Sequence, residues 1–486
     1  MVLDINLLRK EKGFDPEVIR ESERRRYRQG DDLKRTDEVI SLDEQWRKAR
    51  FAMDQVAKEL NAANREIGNK KKVGGDAGAE LAAVIELKAR REELEMEEKK
   101  VFETLQTKLK LLGNLVHESV HVSDNEDFNP VIRTWGKVPD LKVNSTPGFA
   151  HHHEVLAMID GYDAKRGSKI AGHRGFFLKG MGALLNMALV NYGLHFLMKK
   201  NYTPMHTPFF MKKSIMAETC QLSDFDDQLY KVTTGKAATE DDPDNEFYLI
   251  ATSEQPISAY YYNEVIDYSE LPIRFGGFST CFRKEAGAAG KDAWGIFRIH
   301  QFEKVEQFAI TTPDKSWEEL EKMIATSEEF YQSLELPYRV VSIVSGALND
   351  AAAKKYDLEA WFPGYNTFRE LVSCSNCTDY QSRGLNIKMT SQKKDKDAKG
   401  GDFVHMLNGT LCATERTLCC ILENYQTPDG VRVPTVLIPY VGTDFIKYTQ
   451  PMPKKEAEKK ADKAEGKEDK KAKETEGKDK KGEGNA

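Results

Sequence analysis

Between Val39 and Ile67 the chain places an apolar residue at alternating spacings of three and four: Val39, Leu42, Trp46, Ala49, Met53, Val56, Leu60, Ala63 and Ile67. That period draws one narrow stripe along a helix, which suits a partner helix better than a globular core. A second seam runs through Leu81, Val84, Leu87, Leu94, Val101, Leu105, Leu112 and Leu115, with Arg91 and Glu98 standing at two of its positions. Lys70, Lys71 and Lys72 with Gly74, Gly75 and Gly78 separate the seams by turn residues. Two such seams predict an antiparallel helical hairpin over about residues 32–117. Helices of about 40 residues, at about 1.5 Å per residue, make an arm roughly 60 Å long. This is a lever, so the core lies elsewhere in the 486 residues.

The arm and its base are rich in cations: Arg24, Arg25, Arg26, Arg28, Lys34, Arg35, Arg47, Lys48, Arg50 and the three lysines of the turn. The plain reading is a solvated face; the spacing also suits a phosphate backbone. The net charge of -6 mixes basic and acidic patches and decides nothing about nucleic acid. With 31% charged residues and a mean hydropathy of -0.59, much polar surface is expected. Seven cysteines, an odd number and mostly scattered, favour a reducing compartment. The first residues lack an apolar signal core, and no apolar run approaches the ~20 residues of a membrane span. The expectation is a cytoplasmic protein with no membrane role.

Chemistry concentrates in four later stretches. In 278–308, FSTCFRKEAGAAGKDAWGIFRIHQFEKVEQF, alternation on both flanks predicts strands over 278–283 and 297–304, joined by a long loop carrying Gly287, Gly290, Lys291, Asp292 and Gly295. Arg283 can fork onto a phosphate or carboxylate, and Glu306 can accept from an amine or hydroxyl. In 248–258, YLIATSEQPIS, a buried-type strand delivers Thr252, Ser253 and Glu254 to a sheet edge, where Ser253 serves equally well as a helix N-cap before Pro256. In 368–379, FRELVSCSNCTD, Glu370 and Ser373 fall on one strand face. Cys374 and Cys377 lack a second CxxC and read as structural thiols rather than zinc ligands. In 405–426, Gly409 and Thr410 are expected where a helix begins, with Arg416 in its early turns. The triplet His151, His152 and His153 diverges too much to make one metal site. Helix 176–198 is long and mostly apolar, and 317–334 reads as an amphipathic surface helix.

Taken together, these stretches resemble the motifs of class II aminoacyl-tRNA synthetases, in the form found in the seryl-tRNA synthetases. FRxE, the loop and FRxHQFxKVE look like motif 2; helix 176–198 with YTPMHTPFF looks like motif 1, the dimer interface; NGT…ATERTLCCILEN looks like motif 3. The resemblance covers about residues 1–448. It implies an α+β fold: a class II antiparallel β-sheet catalytic domain flanked by helices, plus the N-terminal coiled-coil arm. The division expected is 1–122 for tRNA binding, 123–150 as linker, 151–450 as catalytic domain and 451–486 as a disordered Lys/Glu-rich tail.

The resemblance further implies activation of L-serine with ATP and transfer to tRNA(Ser), extending to tRNA(Sec), by a homodimer. Arg283, Glu285 and Arg416 would be catalytic. Thr252, Ser253, Glu254, Glu306, Asn408 and Thr410 would bind serine. ATP would meet Arg283, Lys284, Glu285, Ile299, His300, Gln301, Phe302, Glu370, Leu371, Val372, Ser373 and Arg416, with Mg2+ on Glu370 and Ser373 and no zinc. Arg24, Arg25, Arg28, Lys70, Lys71 and Lys72 would hold the long variable arm of the tRNA. Neither an editing domain nor a C-terminal anticodon-binding domain is expected. Two rivals remain: a ligase that loads a carrier other than tRNA, and a catalytically silent tRNA-binding protein.

Overall fold

The computed structural model describes residues 2–139, 149–220, 227–233, 246–285, 294–391 and 401–453. The loop residues Gly287, Gly290, Lys291 and Asp292, the lysine-rich stretch 392–400 and the charged tail from 454 lie outside them.

A short helix α1 (Glu17–Arg25) leads into the arm, α2 (Asp31–Lys72, 42 residues) and α3 (Gly78–Leu109, 32 residues). Along the seam Val39, Ala49, Val56, Leu60 and Ile67 of α2 are buried, with Val84, Leu105 and Leu109 of α3. Glu98, which interrupts the second seam, accepts a hydrogen bond from Trp46 Nε1 at 2.8 Å. A covered indole N–H needs such an acceptor, so the apparent flaw in the pattern is its complement. The last two seam positions, Leu112 and Leu115, fall beyond the end of α3; Leu112 packs at the arm's root with Leu3, Leu8, Ile19 and Leu109 against Ala351 and Tyr380.

The arginine run corrects an expectation. Arg25 donates to the carbonyls of Val116 (3.1 Å), His117 (3.0 Å) and Val120 (2.9 Å). Buried Arg26 donates to those of Asn114 (2.8 Å), Asn349 (2.9 Å) and Ala352 (2.8 Å). Arg28 pairs with Asp350, and Arg24 is shared between Glu17 and Glu21. Of the arginines expected on a phosphate backbone, Arg25 and Arg28 are therefore engaged within the protein, whereas Arg24 makes only surface pairs and stays 46% accessible. The five guanidinium donors satisfy carbonyls of irregular chain that burial would otherwise strand.

The core is one eight-stranded sheet: β1 (Val131–Trp135), β2 (Thr203–His206), β3 (Ile273–Phe282), β4 (Gln301–Thr311), β5 (Tyr338–Ser342), β6 (Lys354–Phe362), β7 (Thr367–Asn376) and β8 (His405–Ala413), in the order β1-β5-β6-β7-β8-β4-β3-β2. Neighbours are antiparallel, except that β2 runs parallel to β3. The presumed linker thus contributes an edge strand of this sheet, since β1 pairs with β5.

Four helices matter to the site and its setting: α4 (Gly180–Lys199), α5 (Glu254–Ser258), α6 (Ser316–Ser333) and α7 (Thr414–Tyr425). Against expectation, the 20 residues of α4 are long and apolar enough to cross a membrane, but Leu185, Leu189 and Leu197 pack in the main core. The expected surface helix α6 instead buries Leu320, Met323, Ile324, Phe330 and Tyr331 in the main core.

Two further boundaries differ from the sequence reading. Strand β4 begins at Gln301 rather than 297, because Phe297 and Ile299 turn into the core and Phe297 packs on Phe362 and Tyr365. Gly409 and Thr410 sit inside β8, and the helix starts only at Thr414. That strand lies mid-sheet, mostly buried, so its sequence lacks the in-out alternation that marks a strand.

Candidate active site

A cavity of about 370 Å³ opens over the middle of the sheet. On β4 the two-residue period turns Phe302, Lys304 and Glu306 into it. Arg283 enters from the end of β3, Glu370 and Ser373 from β7, Asn408 and Thr410 from β8, Thr252 and Glu254 from the start of α5, and Arg416 from the first turn of α7. A spacing of three should put Glu370 and Ser373 on opposite faces. A bulge restores them to one: Leu358 faces Val372 and Glu359 faces Glu370, leaving Leu371 as the extra residue.

At one end the lining is a network of carboxylates. Glu306 Oε1 accepts from Lys304 Nζ at 2.6 Å, and Oε2 accepts from Ser253 Oγ at 2.6 Å and from the Glu254 N–H at 3.0 Å. Glu254 Oε1 accepts from Gln381 Nε2 (2.8 Å) and Asn408 Nδ2 (2.9 Å). Burial and then the nearby Glu306 charge push the Glu254 carboxyl up to about 7. This end suits an ammonium and a hydroxyl, since its two carboxylates are acceptors and Lys304 and the Asn408 amide already donate to them.

At the other end the cations gather. The Arg283 guanidinium lies 5.2 Å from the centroid of the Phe302 ring, and that of Arg416 lies 5.2 Å from the Phe297 ring. Arg416 Nη1 stands 3.7 Å from Glu370 Oε2, and 49% of the Glu370 side chain remains accessible, facing the cavity. Burial raises the Glu370 carboxyl, but Arg416 and Lys355 outweigh it and hold the group below its ordinary value. Ser373 Oγ donates to Asp357 Oδ1 at 2.7 Å, which leaves the hydroxyl lone pairs free to accept. Asp357 is itself pushed up to about 7 by burial. Two guanidinium groups and a carboxylate around one cleft can hold a polyanion with its counter-cation.

Glu285 lines the mouth and pairs with Arg298 Nη1 at 3.1 Å, and Ile299 and Leu371 complete the wall. Five expected residues lie outside the lining. Ser253 stands behind it, fully buried, as a donor to Glu306; its side chain makes no N-cap bond. Lys284 gives its N–H to the Gln228 carbonyl, His300 Nδ1 bonds the Arg283 carbonyl (3.0 Å), Gln301 is exposed and Val372 is in the core. Phe297, Lys304, Lys355 and Asp357 were missed. For Lys304 a signal existed, its register with Phe302 and Glu306; for Phe297, Lys355 and Asp357 nothing local marked them. Cys374 and Cys377 are buried, and among the described residues no group of three His, Cys, Asp or Glu side chains is placed to hold a metal ion.

Residues 230–425 match the class II tRNA synthetase core domain of the G, H, P, S and T group, and residues 2–116 match the seryl-tRNA synthetase N-terminal domain. The cytoplasmic serine--tRNA ligase of Dictyostelium discoideum is 51% identical over 457 residues, covering 94% of this chain and 97% of that protein. The chain belongs to the seryl-tRNA synthetases. Two solved structures of this family superpose along nearly the whole chain. The cytoplasmic serine--tRNA ligase of Naegleria fowleri, in complex with AMP, has a TM-score of 0.80 and 48% identity, covering 93% of this chain and all of that one. The seryl-tRNA synthetase of Pyrococcus horikoshii, complexed with ATP, has a TM-score of 0.81 and 37% identity, covering 92% and all of it. The class II core with a long N-terminal helical pair is therefore the fold of a serine--tRNA ligase.

Proposed function

We propose that the cavity binds ATP and L-serine together, joins them as seryl-adenylate with release of pyrophosphate, and passes serine to the terminal ribose of tRNA(Ser). The observation that carries this reading is the convergence of Arg283, Glu370 and Arg416, 133 residues apart at the extremes (416 − 283), on the one cavity whose other end holds Glu254 and Glu306. A carboxylate attacking a phosphate must overcome repulsion between two anions, so charge placement does most of the work.

In this reading Phe302 stacks on adenine and Arg283 spans the α-phosphate and the serine carboxylate. Arg416 holds the far phosphates. Glu285 takes the adenine edge, Thr252 and Glu254 take the ammonium, and Glu306, with Asn408 and Thr410 beside it, takes the serine hydroxyl. Ser253 acts behind Glu306, and Lys284, His300, Gln301 and Val372 supply backbone and packing rather than side-chain contacts. Glu370 and the Ser373 hydroxyl present hard oxygens suited to Mg2+, which when bound neutralises and orients the phosphates. A pocket that hydrogen-bonds the hydroxyl rejects alanine by roughly 10⁴-fold, because its own groups would be stranded.

The arm, with Lys70, Lys71 and Lys72 at its tip, reaches the long variable arm of tRNA(Ser), and charging extends to tRNA(Sec). Residues 1–122 would form the tRNA-binding part and 151–450 the catalytic part, in the cytoplasm, where several relatives are named as residing. The chain works as a homodimer through α4, whose Leu184, Met187 and Met198 are exposed while its other stripe is buried. The test is ATP–pyrophosphate exchange with each of twenty amino acids, then charging of tRNA with and without the variable arm. Serine alone should drive exchange. Exchange without charging of any tRNA would point to another carrier, and no exchange at all to a silent binding protein.

A further inference from the structure

Lys304 is a buried ammonium to which the reaction above gives no part. It sits on β4 between Phe302 and Glu306, all three turned into the cavity, hence between the nucleotide end and the amino-acid end. Only 7% of its side chain and 2% of that of Glu306 are accessible, and the two meet at 2.6 Å. The other oxygen of that carboxylate is held by Ser253 Oγ and the Glu254 N–H. Three donors from two separate stretches of chain therefore fix one carboxylate. A carboxylate offers about four lone-pair directions, so one remains, on the oxygen that Lys304 already holds. Glu254, whose N–H is part of this clamp, brings a second carboxylate to the same end of the pocket. Two carboxylates this close, shielded from water, coexist as anions only with a cation beside them. Against the burial that raises the Glu254 carboxyl, the charge of Lys304 favours its ionised form.

We propose that Lys304 is a positioning residue for amino-acid selection: its ammonium fixes Glu306 as an oriented anion, so that Glu306 accepts from the substrate hydroxyl and an amino acid lacking that hydroxyl leaves the carboxylate short of a donor. The inference rests on the serine reading above and extends it to a side chain that does not itself touch the amino acid.

The experiment uses the full chain with Lys304→Met, Lys304→Gln and Lys304→Arg, followed by ATP–pyrophosphate exchange at varied serine, alanine and ATP. Lys304→Met, which keeps the length and removes the charge, should raise the serine KM at least 100-fold. Its ATP KM and its kcat at saturating serine should stay within fivefold, and the preference for serine over alanine should fall at least tenfold. Lys304→Arg, which keeps the charge, should stay within tenfold of the parent in serine KM. Lys304→Gln decides the matter if the methionine variant does not fold, since it offers a neutral donor; its serine KM should rise at least tenfold. An unchanged serine KM in whichever neutral variant binds ATP normally would overturn the proposal. A loss confined to kcat would also overturn it, by placing the ammonium on the reacting phosphate. If the parent protein turns over some other amino acid, the serine reading fails, and the same ratios measured with that amino acid still judge Lys304.

Discussion

The arm and the cavity handle charge in opposite ways. Along α2 and α3 most charges stand at the surface: Lys34 pairs with Asp31, Arg50 with Glu98 and Lys70 with Glu80, the cations being 72%, 53% and 49% accessible. Such exposed pairs contribute little to stability and can be exchanged for a phosphate at little cost. In the cavity, Lys304 and Glu306 are sealed, and Glu254 is pushed up to about 7. Removing one partner there strands the other, at a cost on the order of 3–5 kcal/mol. The arm is therefore a surface whose positions are interchangeable, and the cavity a device in which each group depends on its neighbours.

The sharpest way to break this contrast is to truncate a cavity cation. Arg416→Ala should lower serine-dependent exchange on the order of 10²–10³-fold, and charging should fall in proportion. An Arg416→Ala protein with normal exchange would end the argument that the two guanidinium groups act on one nucleotide. Next in size, replacing residues 56–92 by a two-glycine turn should reduce tRNA charging on the order of 100-fold while exchange stays within about twofold, as expected when a linked second binding module is lost. The deletion stops short of the root because Leu105, Leu109 and Leu112 share a core with Ala351 and Tyr380, so a cut reaching 117 would damage both regions.

A smaller effect is the pH response of the pocket. In the proposed reading Glu254 takes the substrate ammonium as a carboxylate, and its value is raised to about 7, first by burial and then by Glu306. The serine KM should thus climb about tenfold per unit as pH falls below 7, while the ATP KM does not. The sign reverses for stability. Between the ordinary carboxyl value and about 7 the folded protein binds more protons than the unfolded chain, so stability falls as pH rises through this window. Glu254→Gln should accordingly abolish exchange yet raise the melting temperature at pH 8 by roughly 2–4 °C. Smallest of all, Lys70, Lys71 and Lys72 changed together to Ala should weaken charging only about two- to fivefold, with a shallower salt dependence and unchanged exchange. Arg25→Ala would sharpen the same contrast from the other side. Its four carbonyl partners predict a lower melting temperature and a loss of exchange and charging together.

How far the sequence reads correctly follows the same division. The hairpin and its start are legible, though its second helix stops at Leu109 rather than near 117, because a seam that repeats every 3.5 residues is a local property and its partner is the next helix along. Much of the cavity lining is also legible, through FRKE, TSE, FREL and NGT, since each motif keeps its residues on one strand or turn. What local pattern misassigns are residues whose role depends on a distant neighbour. Arg25 and Arg28 look like phosphate ligands until carbonyls at 116–120 and Asp350 are folded beside them. Residues 131–135 look like linker until β5 offers an edge. Gly409 and Thr410 look like the start of a helix until β4 and β7 flank them.

By itself, then, the sequence determined the arm, the family resemblance and most of the residue types that line the cavity, because periodicity and short motifs are written within one element. Only the tertiary structure decided which charges meet. The bulge at Leu371, the clamp of Lys304, Ser253 and Glu254 on Glu306, and the accepting state of the Ser373 hydroxyl arise from strands brought together across tens to hundreds of residues. In a buried site it is the partner that fixes what a charged group can do.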